Sequence, residues 1–191
     1  GPLVVVGGGA TGLMAAGQGA AAGARVLLLE RMGRLGTKLR ITGKGRCNLT
    51  NTAEMEDFLA RFAFPDRSSD SRFFLRNAFA RFFTPDLIAF FENQGVPLVV
   101  ERGGRVFPAS NDAQQVAGAL ARFAVDNGVQ IRLRSRVTQL LCDGNRVGGV
   151  ALESGEQLPA GAVIIATGGA SYPRTGSSGD GYRLARQVGH T

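Results

Sequence analysis

The sequence has little cysteine, histidine or tryptophan. Its 191 residues include two cysteines, Cys47 and Cys142, one histidine and no tryptophan. Two cysteines so far apart do not make a disulfide framework, and one histidine leaves no zinc-ligand set, so we expect no bound metal. The chain also lacks the run of about 18 apolar residues that a membrane span needs, and a charged-then-apolar leader. We therefore expect a cytoplasmic protein with no membrane partner.

Lysine is scarce as well, whereas arginine is abundant. Twenty arginines and two lysines against fifteen acidic residues give a formal charge of +7. The arginines are spread along the chain apart from Arg132, Arg134 and Arg136, whose alternation predicts one face of a strand. This distribution favours a solvated surface and small anionic ligands over a nucleic-acid groove, with weak RNA binding as the alternative.

Residues 3–29 have the pattern of a β-α-β unit. Apolar runs at residues 3–6 and 25–29 predict two buried parallel strands. The alanine- and glycine-rich segment between them predicts a closely packed helix that begins near Thr11.

Three glycines, Gly7, Gly9 and Gly12, follow the first strand on the spacing G-x-G-x-x-G. We expect Gly7 to allow a tight turn, Gly9 to let the main chain approach a diphosphate, and Gly12 to let the helix pack closely on the sheet. Glu30 ends the second strand, where a carboxylate can accept hydrogen bonds from ribose hydroxyls and repel a 2′-phosphate. The pattern predicts a dinucleotide site; the alternative is a β-α-β unit whose glycines serve packing alone.

Residues 32–51 are basic, interrupted by glycines and without a regular period. We expect an extended loop lying along the ligand, with Gly43 and Gly45 allowing main-chain amides to approach a flat or anionic group. The alternative is a solvated basic loop. Its side-chain donors are Thr37, Lys38, Thr42, Lys44, Arg46 and Asn48.

The segment that follows is helical and aromatic in character. Helices are predicted over residues 54–62, 70–83 and 85–93. Such aromatic density is typical of a core, with a substrate or partner surface as the alternative. The phenylalanines are Phe62, Phe64, Phe73, Phe74, Phe79, Phe82, Phe83, Phe90 and Phe91.

The next segment predicts a hairpin, a helix and a strand. Residues 96–101 and 105–107 flank a two-glycine turn, and a helix capped by Ser110 or Asn111 is expected to run to Val125. Residues 129–133 then predict a third strand of the sheet. The helices and hairpin are thus an insertion between its second and third strands.

The final part predicts a meander and one more buried strand. Residues 137–142, 147–153 and 157–158 are expected to be antiparallel, and residues 162–166 form a strand ending in Thr167-Gly168-Gly169. The order predicts an α/β fold, namely a glutathione-reductase-type FAD-binding (Rossmann-like) domain with a three-stranded β-meander and an inserted helical segment plus hairpin. The second glycine corner should lie beside the first.

Four stretches resemble one family: GGGATGLMAA from residue 7, LRITGKGRCNLTN from residue 39, ERGGRVFPAS from residue 101 and ATGGASYPRTGSSGDGYRLARQVGHT from residue 166. They are similar to the BaiN/YhiN-like flavoproteins, also called aminoacetone oxidase family FAD-binding enzymes. The resemblance implies FAD, and the C-terminal half of the family is expected to be absent. It implies a β-α-β unit with a flavin-contacting loop at 1–53, the insertion and hairpin at 54–110, and the rest of the FAD-binding domain at 111–191.

The resemblance also implies which residues hold FAD. The glycine loop would hold the diphosphate, Glu30 the ribose, and Val137 the adenine through its backbone. Asp180, in Gly179-Asp180-Gly181, is assigned to the cofactor, with a helix start capped by Asp180 as the alternative. The implied set is Gly7, Gly9, Ala10, Thr11, Gly12, Glu30, Arg31, Lys38, Thr42, Gly43, Lys44, Gly45, Arg46, Cys47, Asn48, Val137, Ala166, Thr167, Gly168 and Asp180.

The expected activity is that of an FAD-dependent oxidoreductase. Hydride would pass to or from a small organic substrate, an amine or conjugated enone by resemblance, with NADH or NADPH as candidate electron donor. Lys44 and Arg46 are the expected charge partners of the reduced flavin. An RNA-modifying flavoprotein and a non-catalytic flavin-binding module are the alternatives.

No residue is assigned a catalytic role from the sequence. Tyr172 and His190 are candidate proton donors. Each also has a structural alternative: Tyr172 can belong to a turn, and His190 can precede a strand. Cys47 has no C-x-x-C partner, so packing or contact with the flavin ring is favoured over redox chemistry.

Overall fold

A computed structural model describes residues 1–62 and 69–190. It divides the chain into two compact units, one formed by Gly1–Ile41 with Ala117–Thr191 and the other by Thr42–Val116. In chain order the elements are β1 (Leu3–Val6), α1 (Ala10–Ala21), β2 (Val26–Leu29), α2 (Thr37–Ile41), β3 (Thr50–Asn51), α3 (Met55–Ala60), α4 (Ser69–Phe79), α5 (Thr84–Asn93), β4 (Leu98–Glu101), β5 (Arg105–Pro108), α6 (Ala113–Asp126), β6 (Gln130–Arg132), β7 (Val137–Asp143), β8 (Arg146–Leu152), β9 (Gln157–Pro159), β10 (Ala162–Ile165) and α7 (Asp180–Gln187).

The first unit is built on a four-stranded parallel sheet of order β10-β1-β2-β6. Its central strands consist of apolar, largely branched residues, and Val4, Val5 and Leu28 are completely buried. Such runs suit a sheet that is covered on both faces. Because β6 pairs with β2, the helices and hairpin do lie between the second and third strands in sequence, as predicted.

One face of this sheet is covered by the predicted meander, the antiparallel sheet β7-β8-β9. A continuous apolar core joins Val4 and Leu29 of the parallel sheet to Val150 of the meander and Leu184 of α7. Helix α1 packs against β1 and β2. At its Gly17 a Cβ atom would lie 2.3 Å from the ring of Phe123 in α6, so these two helices are closely packed.

The second unit contains the antiparallel sheet β3-β5-β4 and helices α3, α4 and α5. The hairpin of β4 and β5 and the three helices confirm the prediction, with helix ends that differ by a few residues. None of the helices in residues 1–62 and 69–190 is long and apolar enough to cross a membrane.

The expectation of an aromatic core is met only in part. Phe58 contacts Phe79 and Phe83 with ring centroids 5.5 and 5.3 Å apart, and Phe91 is buried. In contrast, Phe74 is 79% exposed, and Phe62 and Phe82 are also exposed. Phe64 and the side chain of Phe73 lie outside the described residues.

The predicted extended loop at residues 32–51 is wrong for residues 37–45. Residues 37–41 form α2, and Thr42–Gly45 is a 3-10 turn. The run between Gly36 and Gly43 contains no glycine, so it can complete a short helix that begins with the hydrogen bond from the Arg40 amide to the Gly36 carbonyl. The glycines delimit this helix rather than exclude it.

Two further local predictions are corrected. Asp112, not Ser110 or Asn111, caps α6, since its Oδ1 accepts a hydrogen bond from the Gln114 amide at 2.8 Å. The three arginines from Arg132 onward do not share a strand face, because β6 ends at Arg132 and the chain turns at Arg134 with φ of 53°.

Candidate dinucleotide-binding site

The two predicted glycine corners meet at the carboxyl ends of adjacent strands. β1 and β10 are parallel neighbours, and the Ala166 amide donates a hydrogen bond to the Val6 carbonyl at 2.8 Å. Gly7 has φ of 111°, and a Cβ atom on it would lie 2.5 Å from the Ala166 carbonyl oxygen. Ligands of open α/β sheets bind outside the carboxyl ends of such strands.

Gly9 differs from its neighbouring glycines in its surroundings. A Cβ atom on Gly12 would lie 1.8 Å from the Gly7 carbonyl oxygen, whereas a Cβ on Gly9 would meet no heavy atom within 4 Å. Gly7 and Gly12 are therefore required by the packing of the protein itself. Gly9, whose φ is −81°, is not. The alternative that all the glycines serve packing explains two of the three.

The first turn of α1 is suited to an anion. Its N-cap residue is Gly9, no side chain caps its amides, and it contains no acidic residue. The main-chain amides of an uncapped first turn, together with the helix dipole, favour a phosphate. Ala10 and Thr11 lie in this turn and are exposed.

Glu30 has a structural function that the sequence did not reveal. Its Oε2 accepts a hydrogen bond from the Gly8 amide at 2.6 Å, and its Oε1 accepts one from the Met32 amide at 2.6 Å. The residue is 8% exposed. Because an ionised carboxylate can accept about four hydrogen bonds, capacity for ribose hydroxyls remains. Glu30 thus joins the glycine loop to the segment that follows β2.

Asp180 is the centre of an arginine cluster at the start of α7. It accepts hydrogen bonds from Arg136 at 3.1 Å and from Arg31 at 3.2 Å, and Arg183 lies 3.6 Å away. The hydrogen bond from Arg136 lowers the pKa of this carboxyl group, against the opposing effect of burial. No side chain caps α7, whose N-cap residue is Gly179 in the left-handed region, so the capping alternative is wrong.

The loop after β10 reaches the segment after β2, across the end of β1. Lys38 Nζ lies 3.5 Å from Ser171 Oγ and 5.7 Å from the centre of the Tyr172 ring. Arg31 also donates a hydrogen bond to Ser178. Tyr172 itself is 57% exposed. These contacts bring Arg31 and Lys38 close to the second glycine corner.

Residues 42–48 form a compact turn in the second unit. Gly43, Lys44 and Cys47 all have φ near 60°. Arg46 is bound within the unit, because it pairs with Glu101, donates to Asn111 at 2.7 Å and lies 4.2 Å above the Phe107 ring. Lys44, in contrast, is exposed.

Cys47 is buried, and burial raises the pKa of its thiol to about 11. Cys142 is exposed. We expect the native protein to react with one equivalent of Ellman's reagent at pH 8, at Cys142, and with a second only after denaturation, because little Cys47 thiolate exists at that pH and the reagent cannot reach it. Mass spectrometry identifies the labelled residue. Rapid labelling of Cys47 in the native protein would contradict this expectation.

The predicted residues fall into two groups. Those from Gly7 to Lys38, with Val137, the Ala166–Gly168 corner and Asp180, lie in the first unit, and residues 42–48 lie in the second. Gly8, Arg136 and Ser178 were missed as partners of predicted residues. Nothing local marks them as partners, although Asp180, which is flanked by glycines, and the arginine-rich segment 132–136 were both visible in the sequence.

Parallel strands, a glycine loop leading into a helix, and an acid at the end of the second strand define a Rossmann-type dinucleotide-binding domain, and the meander on one face makes it the FAD-binding kind. The chain belongs to the family described as the HI0933-like protein Rossmann domain, which matches residues 2–191. This confirms the predicted BaiN/YhiN-like flavoprotein family.

Two named relatives are similar along nearly the whole chain. Identity is 35% over 189 residues to the 3-dehydro-bile acid delta(4,6)-reductase of Clostridium scindens, covering 98% of this chain and 44% of that protein. It is 32% over 188 residues to the ribosomal RNA dihydrouridine synthase of Escherichia coli, covering 97% and 44%. The chain spans less than half the length of these relatives.

Solved structures share the fold at lower identity. The 3-ketosteroid-delta4-(5alpha)-dehydrogenase from Rhodococcus jostii RHA1 matches with a TM-score of 0.70 at 18% identity, over 99% of this chain and 54% of that one. The open conformation of a flavocytochrome c3 fumarate reductase matches with a TM-score of 0.67 at 22% identity, over 100% and 40%. These likenesses confirm the predicted fold class.

Proposed function

We propose that this chain is the FAD-binding part of an FAD-dependent oxidoreductase of the cytoplasm. The observation that carries the proposal is the meeting of two glycine corners beside the uncapped first turn of α1, with Glu30 at the end of the next strand. Main-chain amides suit a diphosphate, and a carboxylate with remaining acceptor sites suits a ribose diol. The open position at Gly9 further supports a ligand there.

In this proposal each element has one task. Amides of residues 9–12, at the start of α1, bind the diphosphate, Glu30 accepts hydrogen bonds from the adenosine ribose, and the backbone of Val137 contacts the adenine. Lys38, which lies beside the second glycine corner, contributes positive charge near the diphosphate. Asp180 acts on the cofactor through Arg31 and Arg136, the two arginines that it holds.

The relatives' names indicate a common reaction class. A delta(4,6)-reductase reduces carbon–carbon double bonds, and dihydrouridine is uridine with one ring double bond reduced. Bound FAD supplies a two-electron carrier that accepts hydride from a donor and delivers it to an acceptor. We propose reduction of a double bond conjugated to a carbonyl: one carbon receives hydride, the other a proton, and NADH or NADPH is oxidised.

Titration with FAD tests the binding part of this proposal. Addition of the chain should change the visible absorption spectrum of FAD. It should not change the spectrum of riboflavin at the same concentration, because riboflavin lacks the diphosphate and adenosine. Stopped-flow mixing of the loaded full-length protein with NADH and NADPH then measures flavin bleaching, and a conjugated enone should restore the colour. A protein that ignores FAD would overturn the proposal.

Action on ribosomal RNA is the second candidate function. It is supported by the formal charge of +7 and by the relative named as a dihydrouridine synthase. An experiment distinguishes the small-molecule function from the RNA function. The reduced full-length protein is mixed with either a 3-oxo-4,6-diene steroid or deproteinised rRNA that lacks dihydrouridine. Reduction of the steroid alone supports the small-molecule function, and dihydrouridine detected by mass spectrometry supports the other.

A further inference from the structure

Arg134 differs from the arginines around it because its guanidinium group has no hydrogen-bond or ion-pair partner among the residues that the structure describes. Arg132 makes two hydrogen bonds to Glu156, at 2.9 and 2.6 Å, and Arg136 is bound by Asp180 and Glu153. Within residues 1–62 and 69–190, no hydrogen bond or ion pair involves the Arg134 side chain, which is exposed. A planar cation is thus left available at this position.

The segment that follows β2, residues 30–32, holds the backbone at Arg134 in an unfavourable conformation. Its φ is 53°, in the left-handed region that non-glycine residues rarely adopt. The Arg134 amide donates to the Met32 carbonyl at 3.1 Å, and the Ser135 amide donates to the Glu30 carbonyl at 2.9 Å. These bonds fix the position of Arg134 relative to Glu30. Strain of this kind persists where neighbouring structure imposes it, and often at functional sites.

Strand order indicates what part of a dinucleotide would reach Arg134. The glycine corners lie at β1 and β10, Glu30 ends β2, and Arg134 follows β6, the next strand outward. A diphosphate at the end of β1 and a ribose at the end of β2 direct the base toward the end of β6. That strand lies about 10 Å from β1 at the usual strand spacing. Val137, the residue expected to contact adenine, is three positions further along the chain.

There is room for a base beside this residue. A cavity of about 680 Å³ is lined by residues 132–136 and by Leu152, Glu153, Ser154 and Glu156 of the meander. The Arg134 guanidinium lies near Gly33, since a Cβ on that glycine would be 3.5 Å from its Nε and 3.8 Å from its Nη2.

We propose that Arg134 stacks its guanidinium plane on the adenine ring of the bound dinucleotide and so fixes the base. A guanidinium combines a delocalised positive charge with a flat surface, and both favour contact with an aromatic face. The proposal rests on the proposed function and adds to it a residue that recognises the base rather than the diphosphate or ribose.

Titration calorimetry of the 191-residue chain with ADP and with inorganic diphosphate tests this assignment. Arg134→Ala should weaken ADP binding about five- to tenfold and leave diphosphate binding unchanged. Arg134→Lys, which keeps the charge but not the plane, should resemble Arg134→Ala. Arg146→Ala is the matched control, because it removes one exposed positive charge from the first position of β8 and should bind ADP like the wild type.

A glycine variant separates binding from folding. Arg134→Gly relieves the left-handed conformation, so its thermal midpoint should equal or exceed that of the wild type while its ADP binding is weakened. Equal loss of ADP and diphosphate binding in Arg134→Ala, or wild-type ADP binding in either Arg134→Ala or Arg134→Lys, would overturn the stacking role. A wild-type chain that binds neither ADP nor FAD would instead overturn the proposed function, and this inference with it.

Discussion

Gly12→Ala is expected to lower the thermal midpoint of the chain by about 10 °C, a loss of about 3 kcal/mol or more in unfolding free energy. The added methyl group would lie 1.8 Å from the Gly7 carbonyl oxygen and 2.9 Å from its carbon. Both contacts are with backbone, and the Gly7 amide is fixed by its hydrogen bond to the Leu29 carbonyl at 2.8 Å. Helix α1 must therefore move away from the sheet. Circular dichroism melting measures the effect.

Gly9→Ala is the matched control for this change. Its methyl group meets no protein atom within 4 Å, and φ of −81° is accessible to alanine. We expect a loss of about 1 kcal/mol in stability, well below that of Gly12→Ala, since alanine is a poorer N-cap residue than glycine. FAD affinity should nevertheless fall at least tenfold, because the methyl group obstructs the first turn of α1. Similar melting of the two variants would contradict the distinction between these glycines.

Glu30→Gln is expected to lower the free energy of unfolding by about 2–4 kcal/mol and to abolish stable FAD binding. The carboxylate accepts one amide hydrogen bond on each oxygen, from Gly8 and from Met32. A glutamine has a single acceptor oxygen, so its amide nitrogen would face one of those N–H groups. The position is buried, which leaves water little access to relieve the mismatch. Urea denaturation followed by circular dichroism gives the stability.

Glu156→Gln provides the corresponding control for an acid paired with a cation at the surface. It removes the partner of Arg132 in an exposed pair on the meander. Because exposed ion pairs contribute little, its urea midpoint should match that of the wild type. Equal urea midpoints for Glu30→Gln and Glu156→Gln would show that the Glu30 hydrogen bonds do not hold the glycine loop.

Most of the fold was predictable because its signals are local. Apolar branched runs mark β1, β2 and β10, a glycine pair marks the turn of the hairpin, and single glycines at 144 and 155 mark the turns of the meander. The errors came from local signals of similar strength. The glycines at 36 and 43 suggested a loop but delimit α2, and Ser110 or Asn111 was expected to cap α6, which Asp112 caps instead.

The sequence alone determined the β-α-β unit, the second glycine corner and the family, because these depend on residue type and spacing over short distances. Only the tertiary structure decided what the polar side chains bind. Glu30 accepts a hydrogen bond from the Gly8 amide, 22 residues away in the sequence, and Asp180 accepts one from Arg136, 44 residues away. It also separated Gly12, which α1 requires for packing, from Gly9, which no protein atom approaches. Such contacts depend on how strands and helices are brought together in space, and spacing along the chain does not encode them.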